Sequence, residues 1–207
     1  MSIALPSLKV ETRTKASSVS LLVAFAVLAL GLAAPFLVSR GAVQDLFFIL
    51  TMLVLAQSWN LLAGYAGLIS VGQQVFVGFG AYAMFGVVIL LGVDPLAAIL
   101  IAGVLSVLLA IPTAFFTFRL YGPYFAIGTW VVAEVVRLLF AQWKALGGGT
   151  GTSLPREAVR DMAGVSLLRD LFGMKPAQAS DAITYWLALI LAAATFHLIV
   201  AGTTDQR

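Results

Sequence analysis

Apolar residues fall along this chain in long uncharged blocks, at 16–39, 46–93, 95–118, 120–133 and 182–204. A helix crossing the hydrocarbon core needs roughly 20 mainly apolar residues, and four of these blocks reach that length. The block at 46–93 is long enough for two crossings, and its middle holds Gly64, Gly67, Gly72 and the pair Gln73–Gln74. Breaking it there predicts helices over about 43–63 and 75–93. The stretch 121–143 becomes a further crossing if Glu134 and Arg137 are accommodated inside the membrane. The alternation of a β-barrel strand is absent. The pattern predicts an all-α integral membrane protein of about six transmembrane helices, with a Gly-rich broken segment between the second and third. The spans are expected at about 16–39, 43–63, 75–93, 95–118, 121–143 and 183–202, after a tail at 1–15 and with an extramembrane loop at 144–181.

Composition confirms the solvent. Residues of the AVILMFWYC set make up 61% of the 207 and charged residues 10%, with a mean hydropathy of +1.04. Too little polar surface remains to clothe a soluble fold of this size, which excludes a soluble enzyme, a nucleic-acid module and a disordered tail. The net charge of +3 then reads as loop charge on a membrane protein. Without Cys there is no disulfide framework or thiolate chemistry, and the single His argues against an imidazole metal site. Lys9, Arg13 and Lys15 precede the first span, which favours a cytoplasmic N-terminus. The five cations of 144–181 (Lys144, Arg156, Arg160, Arg169 and Lys175) argue the other way, nearly balanced by four acids. The first span also follows a charged stretch as a secretory signal would. Its 24 uncharged residues exceed the usual apolar core of about 7–15, so it reads as an uncleaved anchor.

Two segments carry more than hydropathy. In NLLAGYAGLISVGQQVFVGFGAY, residues 60–82, Asn60, Ser70, Gln73 and Gln74 are interleaved with Gly64, Gly67, Gly72, Gly78 and Gly80. Irregular backbone at membrane depth persists only where it is buried in protein or lines a wet cavity. The segment is either a cytoplasmic turn with small residues for close packing, or a broken element whose free backbone groups face a polar solute. In RLYGPYFAIGTWVVAEVVRLLF, residues 119–140, Glu134 lies 13 residues beyond Tyr121, about 20 Å along a helix. Arg137 follows on the same face and can pair with it. An unpaired charge at that depth is costly, so the pair faces other helices or water, as a packing device or as part of a solute path.

Elsewhere the residues speak of packing. Ala98, Ala102, Ser106, Ala110 and Ala114 form a strip of small side chains that lets helices approach closely. Pro112 lies near the end of that helix. The run GGGTGTSLP at 147–155 lacks the lysine of a phosphate loop and reads as a flexible turn. Residues 155–172 predict one or two short helices with an apolar side at Val159, Met162, Val165, Leu168 and Leu171, lying on the membrane or on other helices.

Residues 60–82 resemble the Asn-Leu-Leu-x-Gly-Tyr-x-Gly-x-x-Ser-x-Gly-x-x-x-Phe-x-Gly-x-Gly-Ala-Tyr stretch of the Liv-type branched-chain amino-acid permeases, membrane subunits of ATP-binding-cassette importers. Asn60, Gly64, Tyr65, Gly67, Ser70, Gly72, Phe76, Gly78, Gly80, Ala81 and Tyr82 fall in register. Residues 119–137 are similar to that family's Arg-x-x-Gly-x-Tyr-Phe-Ala-x-x-Thr pattern, with Glu134 at a family glutamate, and the pattern is that of the M subunit rather than its H partner. GGGTGTSL resembles the family's Thr-Gly-Gly-x-x-Gly loop without strict register. The likeness covers roughly residues 42–204.

The resemblance implies a non-enzymatic subunit of a bacterial inner-membrane importer. It would pair with an H-type permease subunit, two cytoplasmic ATPases that bind the ATP, and an external (periplasmic) solute-binding protein. No cofactor, metal or nucleic acid is implied for the chain itself. Its solutes would be leucine, isoleucine and valine, with urea or short amides the alternative, since related permeases share the motifs. Candidates for the path are Asn60, Gly64, Gly67, Ser70, Gly72, Gln73, Tyr124 and Glu134, with Glu134 and Arg137 as an intramembrane ion pair. The family continues past the equivalent of TTDQR into a cytoplasmic coupling loop, which residues 205–207 would begin. A chain ending there is expected not to support ATP-driven uptake, and a non-energised channel or scaffold subunit is the reading from another class. A membrane enzyme would need convergent reactive groups that the spans do not hold.

Overall fold

The computed structural model describes residues 15–205, with side chains described for residue 23 and for 25–200. The basic N-terminal stretch with Lys9 and Arg13, and residues 206–207, lie outside the described residues. Eight α-helices carry the described chain: α1 Lys15–Leu37, α2 Arg40–Asn60, α3 Gln74–Leu91, α4 Pro95–Thr117, α5 Pro123–Ala141, α6 Arg156–Arg160, α7 Val165–Phe172 and α8 Pro176–Asp205. No strand occurs among the described residues. Among the described residues, five segments are long and apolar enough to cross a membrane: Arg40–Tyr65, Gln74–Leu91, Pro95–Thr117, Pro123–Ala141 and Pro176–Val200. Within α1, Phe25–Leu37 adds a shorter apolar stretch. This is an all-helical integral membrane protein of about six membrane helices.

Helix ends follow local chemistry. The Ser39 hydroxyl accepts from Ala42 N–H at the start of α2, and Gly92, with φ +65°, closes α3. Asp94 has two tasks. One carboxylate oxygen caps α4 by accepting Leu96 N–H at 2.8 Å, and the other accepts Ala163 N–H at 2.7 Å from the segment before α7. Helix α8 starts at Pro176, several residues before the uncharged run at 182, because Asp181 in its second turn accepts from Arg40 and Gln44 of α2.

Two groups of helices result. Helix α2 lies parallel to α8, with Arg40 beside Asp181 at one end and Gln57 accepting from the Thr195 hydroxyl further along. Helix α1 closes on the first of these ends: its Gly31 and Leu32 carbonyls accept from Tyr185 and Trp186, and Ala34, Val43 and Tyr185 form a small core. In the second group α3 packs on α4 and α5. The small-residue strip of α4 faces α3, with Ala98 and Ala102 buried and Ser106 opposite Gly80.

The segment 142–175 folds over the end of the bundle where α3 and α5 finish and α4 and α8 begin. Helices α6 and α7 are two short helices. Met162 and Val165 are buried against Ala179 and Ile183 of α8, whereas Leu171 is exposed. The glycine run is packed into this cap. Gly147 (φ +79°) and Gly148 (φ +52°) turn in the left-handed region, where a Cβ would stand 2.1 Å from the Gly151 carbonyl oxygen and 2.8 Å from that of Ala141. The Gly148 carbonyl also accepts the Tyr82 hydroxyl of α3 at 2.5 Å.

Candidate functional site

Helix α2 does not end cleanly. It widens at Leu61–Tyr65 into a π turn, a single-turn irregularity often found at functional sites. Gly64 sits under the Asn60 side chain, whose Oδ1 would stand 2.5 Å from a Cβ there and would have to swing aside. Gly67 takes φ +67°, and the chain runs irregularly to Gln73 before α3 begins.

The irregular stretch is held against α5 rather than left in a loop. Gly72 is buried with its α-carbon against the backbone of Thr129, so close that a Cβ would stand 2.2 Å from the Thr129 carbonyl oxygen. The Thr129 hydroxyl accepts Val71 N–H at 3.2 Å and donates to the Ala126 carbonyl at 2.9 Å. The buried Ser70 hydroxyl accepts Gly72 N–H, and the Ser70 carbonyl accepts the Trp59 indole N–H. Thr129 lies six residues into α5, about 9 Å from its start at 1.5 Å per residue. The break therefore enters the bundle, and its polar backbone groups find protein partners as the apolar surroundings demand.

Two clefts flank the break. One, of about 300 Å³, runs between α3 and α5 and is lined by Gln74, Phe79, Tyr82, Trp130, Glu134, Arg137 and Phe140 among others. Its α5 wall extends from Trp130 to Ala141, about 16 Å along the axis, so it reaches from the break to the cap. Within it Arg137 Nε and Nη2 donate to Glu134 Oε2 and Oε1 at 2.9 and 2.5 Å, a bidentate fork matching the planar geometry of both groups. The second cleft, broader and more open at about 580 Å³, lies between the end of α2 and the start of α3. Leu55, Ser58, Leu61, Leu62, Ser70, Gln73, Phe76 and Val77 line it.

The structure thus brings Ser70 and Gln73 together in one cleft, and Glu134 and Arg137 in the other. Gly64 and Gly72 shape the break between them. Asn60 is exposed over Gly64, Gly67 faces open space, and Tyr124 is 71% exposed near the start of α5, lining neither cleft. Residue patterns alone missed Thr129, Tyr82 and Trp59 as the groups that hold the break and the cleft. Thr129 and Tyr82 stood inside the matching motifs, and that was their only signal.

The site is an irregular polar break held inside a multi-pass helical bundle, beside a cleft that carries a charged pair. The chain belongs to the family described as the branched-chain amino acid transport system / permease component, whose model matches residues 41–204. It is 29% identical over 185 residues to the high-affinity branched-chain amino acid transport system permease protein LivM of Escherichia coli K12, covering 84% of this chain and 44% of that protein. To the LivM of Salmonella typhimurium LT2 it is 28% identical over the same shares. The chain thus spans less than half the length of these curated relatives. No solved structure matches it significantly.

Proposed function

We propose that these residues are the N-terminal membrane-spanning part of an importer permease subunit that carries branched-chain amino acids along the α3–α5 cleft. The observation that carries this reading is the cleft's composition. Phe79, Trp130 and Phe140 offer apolar walls suited to an aliphatic side chain, while the paired Glu134 and Arg137 would have to exchange their mutual fork for the two ends of an amino-acid zwitterion. Its volume falls at the lower end of the roughly 300–1,000 Å³ typical of small-molecule sites. Ser70 and Gln73, beside the break, line the route on the other side of α3.

In this reading the chain does no covalent chemistry. A second, H-type permease subunit completes the pathway, two cytoplasmic ATPases bind and hydrolyse ATP, and an external binding protein delivers the solute. ATP on the partners biases a helix bundle between two states, and the break between α2 and α3 supplies a place where backbone can move without losing a full helical ladder. The membrane is the bacterial inner membrane, with the N-terminus inside.

The test is uptake of radiolabelled leucine by the full-length complex in proteoliposomes. Ser70→Leu, Gln73→Leu and Glu134→Gln are each expected to reduce uptake while the complex still assembles. Unchanged uptake in all three would remove the path assignment. Competition by unlabelled urea in place of valine would replace the solute class, and leucine flux without ATP would favour a channel.

A further inference from the structure

The apolar side of α7 is wider than the seam it packs. Val165 is 2% exposed in a core with Met162, Met174, Ala179 and Ile183, and Leu168 rests on the same core. At 3.6 residues per turn, Leu167 and Leu171 form the adjoining edge of the helix, with Ser166 and Asp170 about 100° further round it and Arg169 opposite. Leu167 is 63%, Leu171 71% and Phe172 57% exposed. A helix facing water carries polar residues at such positions.

Where α7 sits explains what covers that edge. Val165 shares its core with Ala179 and Ile183 of α8, at the level where the uncharged run 182–204 begins. With 30 residues, α8 is about 45 Å long against roughly 30 Å of hydrocarbon, so its first turns stand at the membrane boundary. The Phe172 ring lies 4.9 Å from that of Phe36, which is 6.0 Å from Trp186. Phe36 continues the exposed apolar face of α1 through Leu32 and Leu28, so the C-terminal end of α7, at Phe172, adjoins a face directed at lipid. Aromatic rings gather at this depth in membrane proteins. Arg169, on the far side of α7, and Lys175, just past its end, are exposed, and their long stems let the charged ends reach lipid phosphates.

We propose that α7 is an interfacial anchor: Leu167, Leu171 and Phe172 insert among the acyl chains of the leaflet next to the cap, and Arg169 and Lys175 sit at the phosphate level. The helix would thereby hold the cap over the cleft at a set depth in the bilayer. This inference needs only that the chain spans a membrane, so it stands or falls separately from the solute reading.

The 207 residues contain no cysteine, so once any cysteines elsewhere in the full-length complex are replaced, single cysteines at 166, 167, 170 and 171 can each carry a nitroxide. The labelled full-length complex is placed in nanodiscs of phosphatidylethanolamine and phosphatidylglycerol, and collision with oxygen is compared with collision with a water-soluble nickel chelate. At 167 and 171 the oxygen-to-nickel ratio is expected several-fold above that at 166 and 170. Equal, nickel-dominated ratios at all four positions would overturn the proposal in favour of a water-facing helix. Labels at 167 and 171 shielded from both reagents would overturn it in favour of a protein partner.

Discussion

Gly72 offers the sharpest test of how the break is held. In Gly72→Ala the new Cβ would lie 2.2 Å from the carbonyl oxygen and 2.7 Å from the carbonyl carbon of Thr129. Ordinary contact begins near 3.4 Å, so the misfit exceeds 1 Å, and the atoms it meets are backbone within α5. No side chain can swing aside to relieve it. The segment must lift off α5, which also stretches the Val71 N–H bond to the Thr129 hydroxyl, now 3.2 Å. Overpacking of this kind costs typically 1–3 kcal/mol, and losing a hydrogen bond adds about 0.5–1.5 kcal/mol. The sum is about 1.5–4.5 kcal/mol, or roughly tenfold to a thousandfold in the folded-to-unfolded ratio at about 1.4 kcal/mol per decade. The assay is unfolding of the purified subunit in mixed micelles, with Gly78→Ala as the control. Gly78 is helical and would find nothing within 4 Å of its Cβ, so that change should be neutral or stabilising by up to about 1 kcal/mol. A Gly72→Ala protein as stable as the wild type would refute the account of the break as wedged on α5.

Other contacts give narrower forecasts by the same assay. Thr195→Val removes the hydroxyl donor to Gln57 between α8 and α2, and bonds of this kind between membrane helices are worth about 0.6 kcal/mol, at most about 1.7; Thr195→Ser should recover the loss, and a cost above that range would mean packing was disturbed. In the cap, Tyr82→Phe should cost about 0.5–1.5 kcal/mol by removing the bond to the Gly148 carbonyl. Gly147→Ala should cost more than Tyr82→Phe. It combines a left-handed backbone, about 1–2 kcal/mol for a residue with a Cβ, with a Cβ placed 2.1 Å from the Gly151 oxygen. The reverse order would show that the glycine turn is not held as described.

Membrane helices were legible because the bilayer imposes a length and a polarity on each one separately. Uncharged runs such as 95–118 therefore predicted helices like Pro95–Thr117 almost residue for residue. The break after α2 was legible for the same reason, since clustered Gly and Gln contradict a lipid-facing helix, and the Glu134–Arg137 spacing already put both charges on one face. What covers each polar group was not legible. The hydroxyl that holds Val71 comes from Thr129, 58 residues away, and Asp94 reaches 69 residues to Ala163. Threonine in an apolar run or aspartate before a proline gives no sign of so distant a partner. Local period and solvent preference are properties of short stretches, so the sequence by itself determined the helices, their breaks and the paired charges. Which helix faces which, and hence which residues line a cleft, depends on packing among segments far apart in the chain. Only the tertiary structure placed Ser70 and Gln73 on one side of α3, Glu134 and Arg137 on the other, and left Tyr124 outside both.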